Sequence, residues 1–121
     1  MTNDAPKPIG PYSQAVQSGK LIFLSGIIPA DPNTGNIIRG DIKKATEQVL
    51  KNASSILKAS GSSLENVVKV SVFMKDLKLF GEMNEVYSNW FKKPYPARTT
   101  VQAAALPRDV DIEMDFIAET T

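Results

Sequence analysis

Arg98 is the residue of this chain whose surroundings most need a chemical explanation. It lies in the segment PYPARTTVQA (94–103), between a loop marked by two prolines and a run typical of a buried strand. A guanidinium keeps its charge near neutral pH and is costly to bury without an anion. The anion is either a carboxylate of the chain, which would make an ordinary ion pair, or a ligand held at a binding site.

The last predicted strand supplies the carboxylates that would make the ion pair. Strand alternation puts Arg98, Thr100 and Gln102 on one face. The acidic residues of the last segment also share one face, namely Asp111, Glu113 and Asp115. If the two strands are antiparallel neighbours, the two rows can lie on the same side of the sheet. Spacing alone favours such a pair, worth ~0–1 kcal/mol, whereas the proline-shaped loop beside Arg98 favours a binding site.

Three further polar residues have both a structural and a functional interpretation. Asn84 lies inside the apolar stripe of a predicted helix, where its amide either bonds locally or serves a ligand or a neighbouring subunit. Tyr12 follows a Gly-Pro pair, and Ser25 ends a buried strand just before a glycine. Such positions are ordinary turns, but loops at strand ends also host sites.

Composition narrows the possible chemistry. The 121 residues include no cysteine and no histidine, which removes a thiolate nucleophile, the commonest general base and the commonest zinc ligand. Fourteen basic and thirteen acidic side chains give a net charge of +1, without the basic excess of a nucleic-acid or anionic-membrane binder. No apolar run reaches the ~20 residues that span a bilayer. We expect a soluble protein of the cytosol or, after loss of a presequence, of the mitochondrial matrix.

Hydrophobic periodicity predicts the elements that position these residues. The predicted order is β-β-β-α-β-α-β-β, a single α+β domain over residues 1–121. Helices are expected between Asp41, as N-cap, and Gly61, as C-terminal stop, and over 77–91 with a cap near Asp76. Strands are expected over 12–17, 21–26, 36–40, 67–74, 97–105 and 109–118.

The two helices leave one face of the predicted sheet uncovered. Both are amphipathic, and right-handed crossovers place them on the same face. Several strands are nevertheless apolar on both faces, and no segment remains to bury the second face. The sequence therefore predicts a homo-oligomer packed through its sheets.

Taken together, the segments closely resemble the reactive intermediate deaminase family, Rid, also called YjgF. The resemblance runs in order and with kept spacing from Ala5 to Ala118. The matching segments are APKPIGPYSQAV (5–16), LIFLSGIIP (21–29), VVKVSVFMKDL (67–77), MNEVYSNWF (83–91), and PARTTV followed by ALPRDVDIEMDFIA (96–118).

The resemblance implies a chorismate-mutase-like α+β fold assembled as a homotrimer, with three clefts between subunits. It also implies hydrolysis of 2-imino acids, such as 2-iminobutanoate and 2-iminopropanoate, to 2-oxo acids and ammonia. These imines escape from pyridoxal phosphate enzymes and damage such enzymes if they persist. No metal and no organic cofactor is implied.

The resemblance also assigns residues. The family's substrate-binding arginine falls on Arg98 and its acidic residue, expected to position or deprotonate water, on Glu113. Its remaining cleft residues fall on Tyr12, Ser25 and Asn84, and Thr100 is expected to contact the substrate with them. The chain departs from many relatives at Thr100, where they have cysteine, and at Ile27, where they have glutamine.

Two other functions remain open from the sequence. Some Rid relatives are linked to RNA cleavage or translational inhibition, although this chain lacks a basic stripe, an aromatic stacking platform and a histidine for work on a phosphodiester. A non-catalytic binder or chaperone of small carboxylates would need Arg98 but not Glu113.

Overall fold

The computed structural model describes all residues from 1 to 121 as five β-strands and two α-helices. Short 3-10 turns precede β3, α2 and β5. The elements are β1 (Ala15–Ser18), β2 (Leu21–Ile27), α1 (Ile42–Ala59), β3 (Val67–Met74), α2 (Phe80–Trp90), β4 (Ala97–Gln102) and β5 (Ile112–Glu119).

The strands form one mixed sheet in the order β1-β2-β5-β3-β4. Only β3 and β4 are parallel, and every other neighbouring pair is antiparallel. The last strand of the chain therefore lies at the centre of the sheet, and β4 lies at an edge. This order confirms the predicted α+β fold with a mixed sheet.

Both helices cover the same face of the sheet, as predicted. α1 packs on β2 and β5, and α2 packs against α1. Alternate residues of β5, among them Ile112, Met114 and Phe116, are almost fully buried on this helix-covered face. They join residues of both helices in one hydrophobic core of 22 buried side chains, and burial of this apolar area is the main stabilising term of the fold.

The predicted ends of α1 are confirmed. The Asp41 carboxylate accepts a hydrogen bond of 3.1 Å from the backbone N–H of Lys44, which makes Asp41 the N-cap. Gly61 follows the C-cap residue with φ of 80°, a left-handed conformation that glycine adopts without a steric penalty.

The predicted third strand over 36–40 is wrong. The turn DPNTG forms, but residues beyond it make only one isolated bridge, Ala30 to Ile37. The carbonyls of Ile28 and Ala30 accept hydrogen bonds from the buried side-chain amide of Asn52 on α1. The segment 28–31 is therefore held by α1, and only two backbone hydrogen bonds, from Ile38 to the Pro29 carbonyl and from Asp31 to the Asn36 carbonyl, link it to residues 36–38.

Several predicted boundaries also move. The second helix begins at Phe80, because Leu77–Leu79 forms a 3-10 turn that Asp76 caps through the backbone N–H of Lys78. The first and sixth predicted strands begin too early, since the observed strands are Ala15–Ser18 and Ile112–Glu119, and each ends one residue too soon. The fifth predicted strand ends too late, since the observed strand is Ala97–Gln102. Paired backbone groups, not apolar composition, set these limits.

The second face of the sheet, called the open face below, carries no helix. Val16, Phe23 and Ile117 lie side by side across β1, β2 and β5. Val16 is 57% exposed and Phe23 41% exposed, as is Val101 on β4. The predicted apolar face without cover is thus present, while the oligomer inferred from it stays a prediction. Neither helix has the length and apolar character needed to cross a membrane.

Candidate functional site

Arg98 lies at the edge of the sheet on its helix-covered face. In the parallel pairing of β3 with β4 it is beside Val70, which is completely buried under the helices. Its Nη1 donates a hydrogen bond of 2.7 Å to Oδ1 of Asn84 on α2. Its guanidinium carbon lies 4.6 Å from the ring centre of Tyr87 and 5.4 Å from that of Phe80, within cation–π range.

The cross-strand ion pair of Arg98 with the acidic row is ruled out. β3 separates β4 from β5, so the two strands are not neighbours. Glu113 lies beside Phe73 of β3 on the open face, whereas Arg98 lies on the opposite face. The ion pairs of the chain join Lys43 with Glu85 and Lys75 with Asp109, and the charge of Arg98 has no carboxylate partner.

Two buried polar atoms beside Arg98 also lack hydrogen-bond partners. They are the phenol oxygen of Tyr87 and the hydroxyl oxygen of Thr100. Native proteins pair most such atoms, so unpaired ones indicate a role that the isolated chain does not satisfy. Burial raises the pKa of the Tyr87 phenol, and the nearby positive charge of Arg98 opposes that rise. We call Asn84, Tyr87, Arg98 and Thr100 the arginine half-site.

Tyr87 is a candidate site residue that sequence reasoning missed, because the apolar stripe of α2 accounted for it. Its spacing offered a signal, since Asn84 and Tyr87 are three positions apart and share one face of the helix. A tyrosine one turn from a polar residue within an apolar stripe can direct both polar groups to the same point. The arginine half-site has that arrangement.

Glu113 lies in a different place, on the open face, where it lines a cavity of about 480 Å³. Tyr12 and Ser25 line the same cavity, together with Gly26 and Arg108. The N-terminal arm supplies part of the wall through residues 6–9. We call Tyr12, Ser25, Gly26 and Glu113 the glutamate half-site.

Gly26 allows the Glu113 carboxylate to lie against β2. A Cβ at position 26 would overlap that carboxylate, with the Glu113 Cδ only 2.9 Å away. The strand is irregular here, because the register with β5 shifts between Leu24 and Ile27. Such a bulge commonly redirects side chains next to a site. Beside it, the Ser25 hydroxyl donates a hydrogen bond of 2.6 Å to the Ser13 carbonyl.

The N-terminal arm, residues 1–11, contains turns and bends and is folded onto the protein. Gln14 is buried, and its amide nitrogen donates to the carbonyls of Thr2 and Pro6. Its amide oxygen accepts from the backbone N–H of Thr2, and Ala5 is almost fully buried. Gln14 thereby holds the arm in the wall of the cavity that Tyr12 also lines.

Burial raises the pKa of the Glu113 carboxyl above its ordinary value, and the neighbouring negative charge of Asp115 raises it further. A carboxyl shifted in this direction takes up and releases protons closer to neutral pH, as general acid–base catalysis requires. No cluster of three or more metal-binding side chains accompanies it.

The predicted site residues thus form two groups in one chain. Tyr12, Ser25 and Glu113 meet in the glutamate half-site. Asn84, Arg98 and Thr100 lie together on the helix-covered face, at the edge of the sheet that β4 forms. A single copy does not bring Arg98 and Glu113 to the same place.

Comparison with known proteins gives one family. The model described as "Endoribonuclease L-PSP" matches residues 2–120. A RutC family protein of Pyrococcus abyssi is 55% identical over 97% of this chain and 92% of its own length. The mouse protein named 2-iminobutanoate/2-iminopropanoate deaminase is 44% identical over 97% of this chain and 87% of its own length. The crystal structure of Escherichia coli TdcF with bound serine is 39% identical, has a TM-score of 0.94, and covers all of this chain and 97% of its own.

The chain belongs to the Rid family.

Thr100 and Ile27 lie in different parts of the candidate site. Thr100 contributes the unpaired hydroxyl of the arginine half-site. Ile27 is buried and lines the cavity that contains Glu113.

Replacing Tyr87 by phenylalanine should weaken ligand binding without weakening the fold. A buried hydroxyl without a partner costs about 1–3 kcal/mol, so its removal should leave the free energy of unfolding unchanged or raise it. If the phenol serves a ligand held by Arg98, the dissociation constant for a small 2-oxo acid should rise about 5–10-fold, the value of one hydrogen bond. Calorimetric titration and urea unfolding measure the two quantities, and a loss of stability with unchanged affinity would contradict the assignment.

Proposed function

We propose that this Rid protein is a hydrolytic deaminase that converts 2-imino acids, such as 2-iminobutanoate and 2-iminopropanoate, to 2-oxo acids and ammonia. The observation that carries the proposal is Arg98, a partly buried guanidinium with no carboxylate partner. It lies beside two buried polar atoms that also lack partners. A small carboxylate is the ligand that such a group of donors fits.

Arg98 is suited to hold the carboxylate of the substrate. A guanidinium has five N–H donors in a planar fork, and the bond to Asn84 takes one of them. The ring of Tyr87 lies against the guanidinium and limits its rotation. Two parallel N–H···O bonds to the substrate carboxylate would then fix which face of the adjacent C=N carbon is open to water.

A complete cleft needs two copies of the chain. Arg98 is on the helix-covered side of an edge strand, and Glu113 is on the open face. The open face also carries the exposed apolar residues Val16, Phe23 and Val101, which a second copy would bury. We therefore propose a homotrimer in which the arginine half-site of one copy faces the glutamate half-site of the next.

Glu113 is placed to handle the proton of the attacking water. Water adds to the carbon of the protonated imine, and one of its protons passes to the Glu113 carboxylate, which gives a neutral carbinolamine. Glu113 returns this proton to the carbinolamine nitrogen, the C–N bond breaks to release ammonia, and the hydroxyl proton passes to water as the C=O bond of the 2-oxo acid forms. General acid–base help of this kind is worth about 10²–10⁴-fold. The step needs no strong nucleophile, because such imines already hydrolyse in water.

The named relatives support this substrate class. The mouse relative carries the name of the proposed activity at 44% identity. The E. coli structure holds serine, a small molecule with the same carboxylate-bearing carbon next to nitrogen. Serine and a 2-imino acid therefore share the groups that Arg98 and its neighbours would recognise.

RNA cleavage is the competing function, because the matching family model is described as an endoribonuclease. The chain offers no histidine for proton transfer to a phosphodiester, and its net charge is +1. Binding to RNA that falls steeply with added salt, together with cleavage that Glu113→Gln abolishes, would favour this alternative. A carboxylate binder without catalysis would instead keep its ligand affinity in Glu113→Gln, and neither that variant nor the wild type would shorten the imine lifetime.

The direct test generates 2-iminobutanoate in place from threonine with a threonine dehydratase. The lifetime of the imine is followed with wild-type protein, with Arg98→Ala and with no protein. We expect wild-type protein to shorten the lifetime in proportion to its concentration, and Arg98→Ala to behave as the sample without protein. Equal lifetimes in all three samples would contradict the proposal.

A further inference from the structure

A strained pair of residues lies at the rim of the glutamate cavity. Arg108 has φ of 56° and Asp109 has φ of 54°, both in the left-handed region. This conformation is uncommon for residues with a Cβ, above all for a long side chain such as arginine. It persists where the surrounding structure holds it, and it is most frequent at functional sites.

A distant residue holds this pair in place. Arg39, about 70 positions earlier in the chain, donates its Nη2 to the Arg108 carbonyl at 2.6 Å and its Nε to the Asp109 carbonyl at 3.3 Å. The Asp109 carboxylate accepts from Lys75 Nζ at 2.6 Å. Val110, the next residue, is completely buried and anchors the far end of the turn. The backbone of Arg108 is therefore fixed on both sides.

The Arg108 guanidinium is an unpaired positive charge at the cavity that contains Glu113. Arg108 lines that cavity, and its side chain makes no hydrogen bond and no ion pair in the chain. Arg39, by contrast, uses its guanidinium on the two carbonyls. The charged residues that line the cavity are Lys7, Arg108 and Glu113, so its charge balance is positive when Glu113 is ionised.

We propose that Arg108 is a second anion-recognising residue of the cleft and that Arg39 is the residue that positions it. The inference rests on the proposed function in one respect, namely that the ligand is a small carboxylate. An anionic substrate that approaches an ionised Glu113 is repelled, and a cation fixed on the same cavity offsets this repulsion. Arg108 would then draw the substrate into the cleft, where Arg98 of the neighbouring copy binds it.

Calorimetric titration with 2-oxobutanoate, the unreactive product, tests the role of Arg108. Arg108→Asn removes the charge and keeps a residue that tolerates a left-handed backbone, and Arg108→Lys keeps the charge. Lys20→Gln removes a charge from the turn between β1 and β2, outside the cavity. We expect Arg108→Asn to weaken binding about five-fold at low ionic strength and less than about two-fold in 1 M salt. Arg108→Lys and Lys20→Gln should bind as the wild type does.

The role of Arg39 is tested by its coupling to Arg108. Arg39→Met removes both hydrogen bonds to the turn, so it should reproduce the salt-dependent loss of affinity. The double variant Arg39→Met/Arg108→Asn should bind no more weakly than either single variant, because both act through one charge. A lowered thermal midpoint with unchanged affinity in Arg39→Met would instead make Arg39 a structural residue only.

The titration separates this inference from the proposed function. Unchanged affinity in Arg108→Asn at low salt, or no binding of 2-oxobutanoate by the wild type, overturns the role of Arg108. Salt-dependent loss in Arg108→Asn supports it even if the wild type does not hydrolyse imines, a result that would overturn the proposed function alone. Normal imine hydrolysis by Arg108→Asn at low salt and low substrate concentration would overturn this inference alone.

Discussion

Replacing Arg98 by lysine is expected to lower kcat/KM for 2-iminobutanoate about 10- to 100-fold, the value of one charged hydrogen bond of ~1.5–3 kcal/mol. Lysine keeps the positive charge but offers no planar fork for a carboxylate. It also lacks the planar group whose carbon lies 4.6 Å from the Tyr87 ring centre while one nitrogen donates to Asn84. The measurement is the imine lifetime at several protein concentrations, corrected for spontaneous hydrolysis.

The matched control for this variant is Arg98→Met, which removes the charge as well. If bidentate capture matters, lysine and methionine should both be severely impaired, with methionine the worse of the two. If only positive charge is needed, lysine should retain near-normal activity, and that outcome would contradict the role assigned to the fork. Thermal unfolding of both variants must stay close to wild type for the comparison to hold, since Arg98 also packs on α2.

Replacing Glu113 by glutamine is expected to lower kcat about 10²–10⁴-fold, while the affinity for 2-oxobutanoate rises at low salt because the ionised carboxylate no longer repels the anion. Glutamine has nearly the same shape, so the contact with Gly26 is kept, while the negative charge and the ability to accept a proton are lost. In the wild type, kcat should rise as the pH increases through the pKa of Glu113, which burial and Asp115 raise. The variant should lack this rise.

The raised pKa of Glu113 also makes a prediction about stability. Whereas kcat should rise with pH, the free energy of unfolding should fall. Because the pKa of Glu113 is raised in the folded chain, the folded state holds the proton more tightly than the unfolded state does. Its contribution to the free energy of unfolding is therefore largest at low pH. That contribution is lost as the pH rises from the ordinary value of 4.5 through the raised pKa. Glu113→Gln should remove this loss in urea unfolding measured across that range, and a parallel pH dependence in both proteins would contradict the shift.

The fold follows from sequence where local signals and packing agree. The helical period from Ile42 onward, the Asp41 cap and the Gly61 stop together predict α1 almost to the residue. The β-branched run from Val67 to Met74 likewise predicts β3 with the bounds that the structure has. The segment 36–40 misleads, because its apolar pair Ile37-Ile38 resembles a strand while the buried amide of Asn52 holds the partner segment.

The candidate site, like the fold, can be predicted from the sequence only in part. Residue types and the family resemblance identify Arg98, Glu113 and their companions, but strand order decides which of them meet. The parallel pairing of β3 with β4 is a long-range choice that no local pattern fixes. It separates β4 from β5 and puts Arg98 and Glu113 on opposite faces. Tyr87 was hidden for a related reason, since an aromatic in an apolar stripe signals core until its hydroxyl is seen without a partner.

The most direct test of the account is to restore activity by mixing two inactive variants. Arg98→Ala retains the glutamate half-site, and Glu113→Gln retains the arginine half-site. The two are differently tagged, unfolded together, refolded and purified as mixed oligomers by both tags in turn. If each cleft joins half-sites from neighbouring copies of a closed ring of three, every purified mixed trimer should have one intact cleft out of three. The mixed oligomers should then hydrolyse 2-iminobutanoate, while the double variant Arg98→Ala/Glu113→Gln mixed with either single variant should not. Mixed oligomers that form but stay inactive would contradict the claim that Arg98 of one copy and Glu113 of another act on the same molecule.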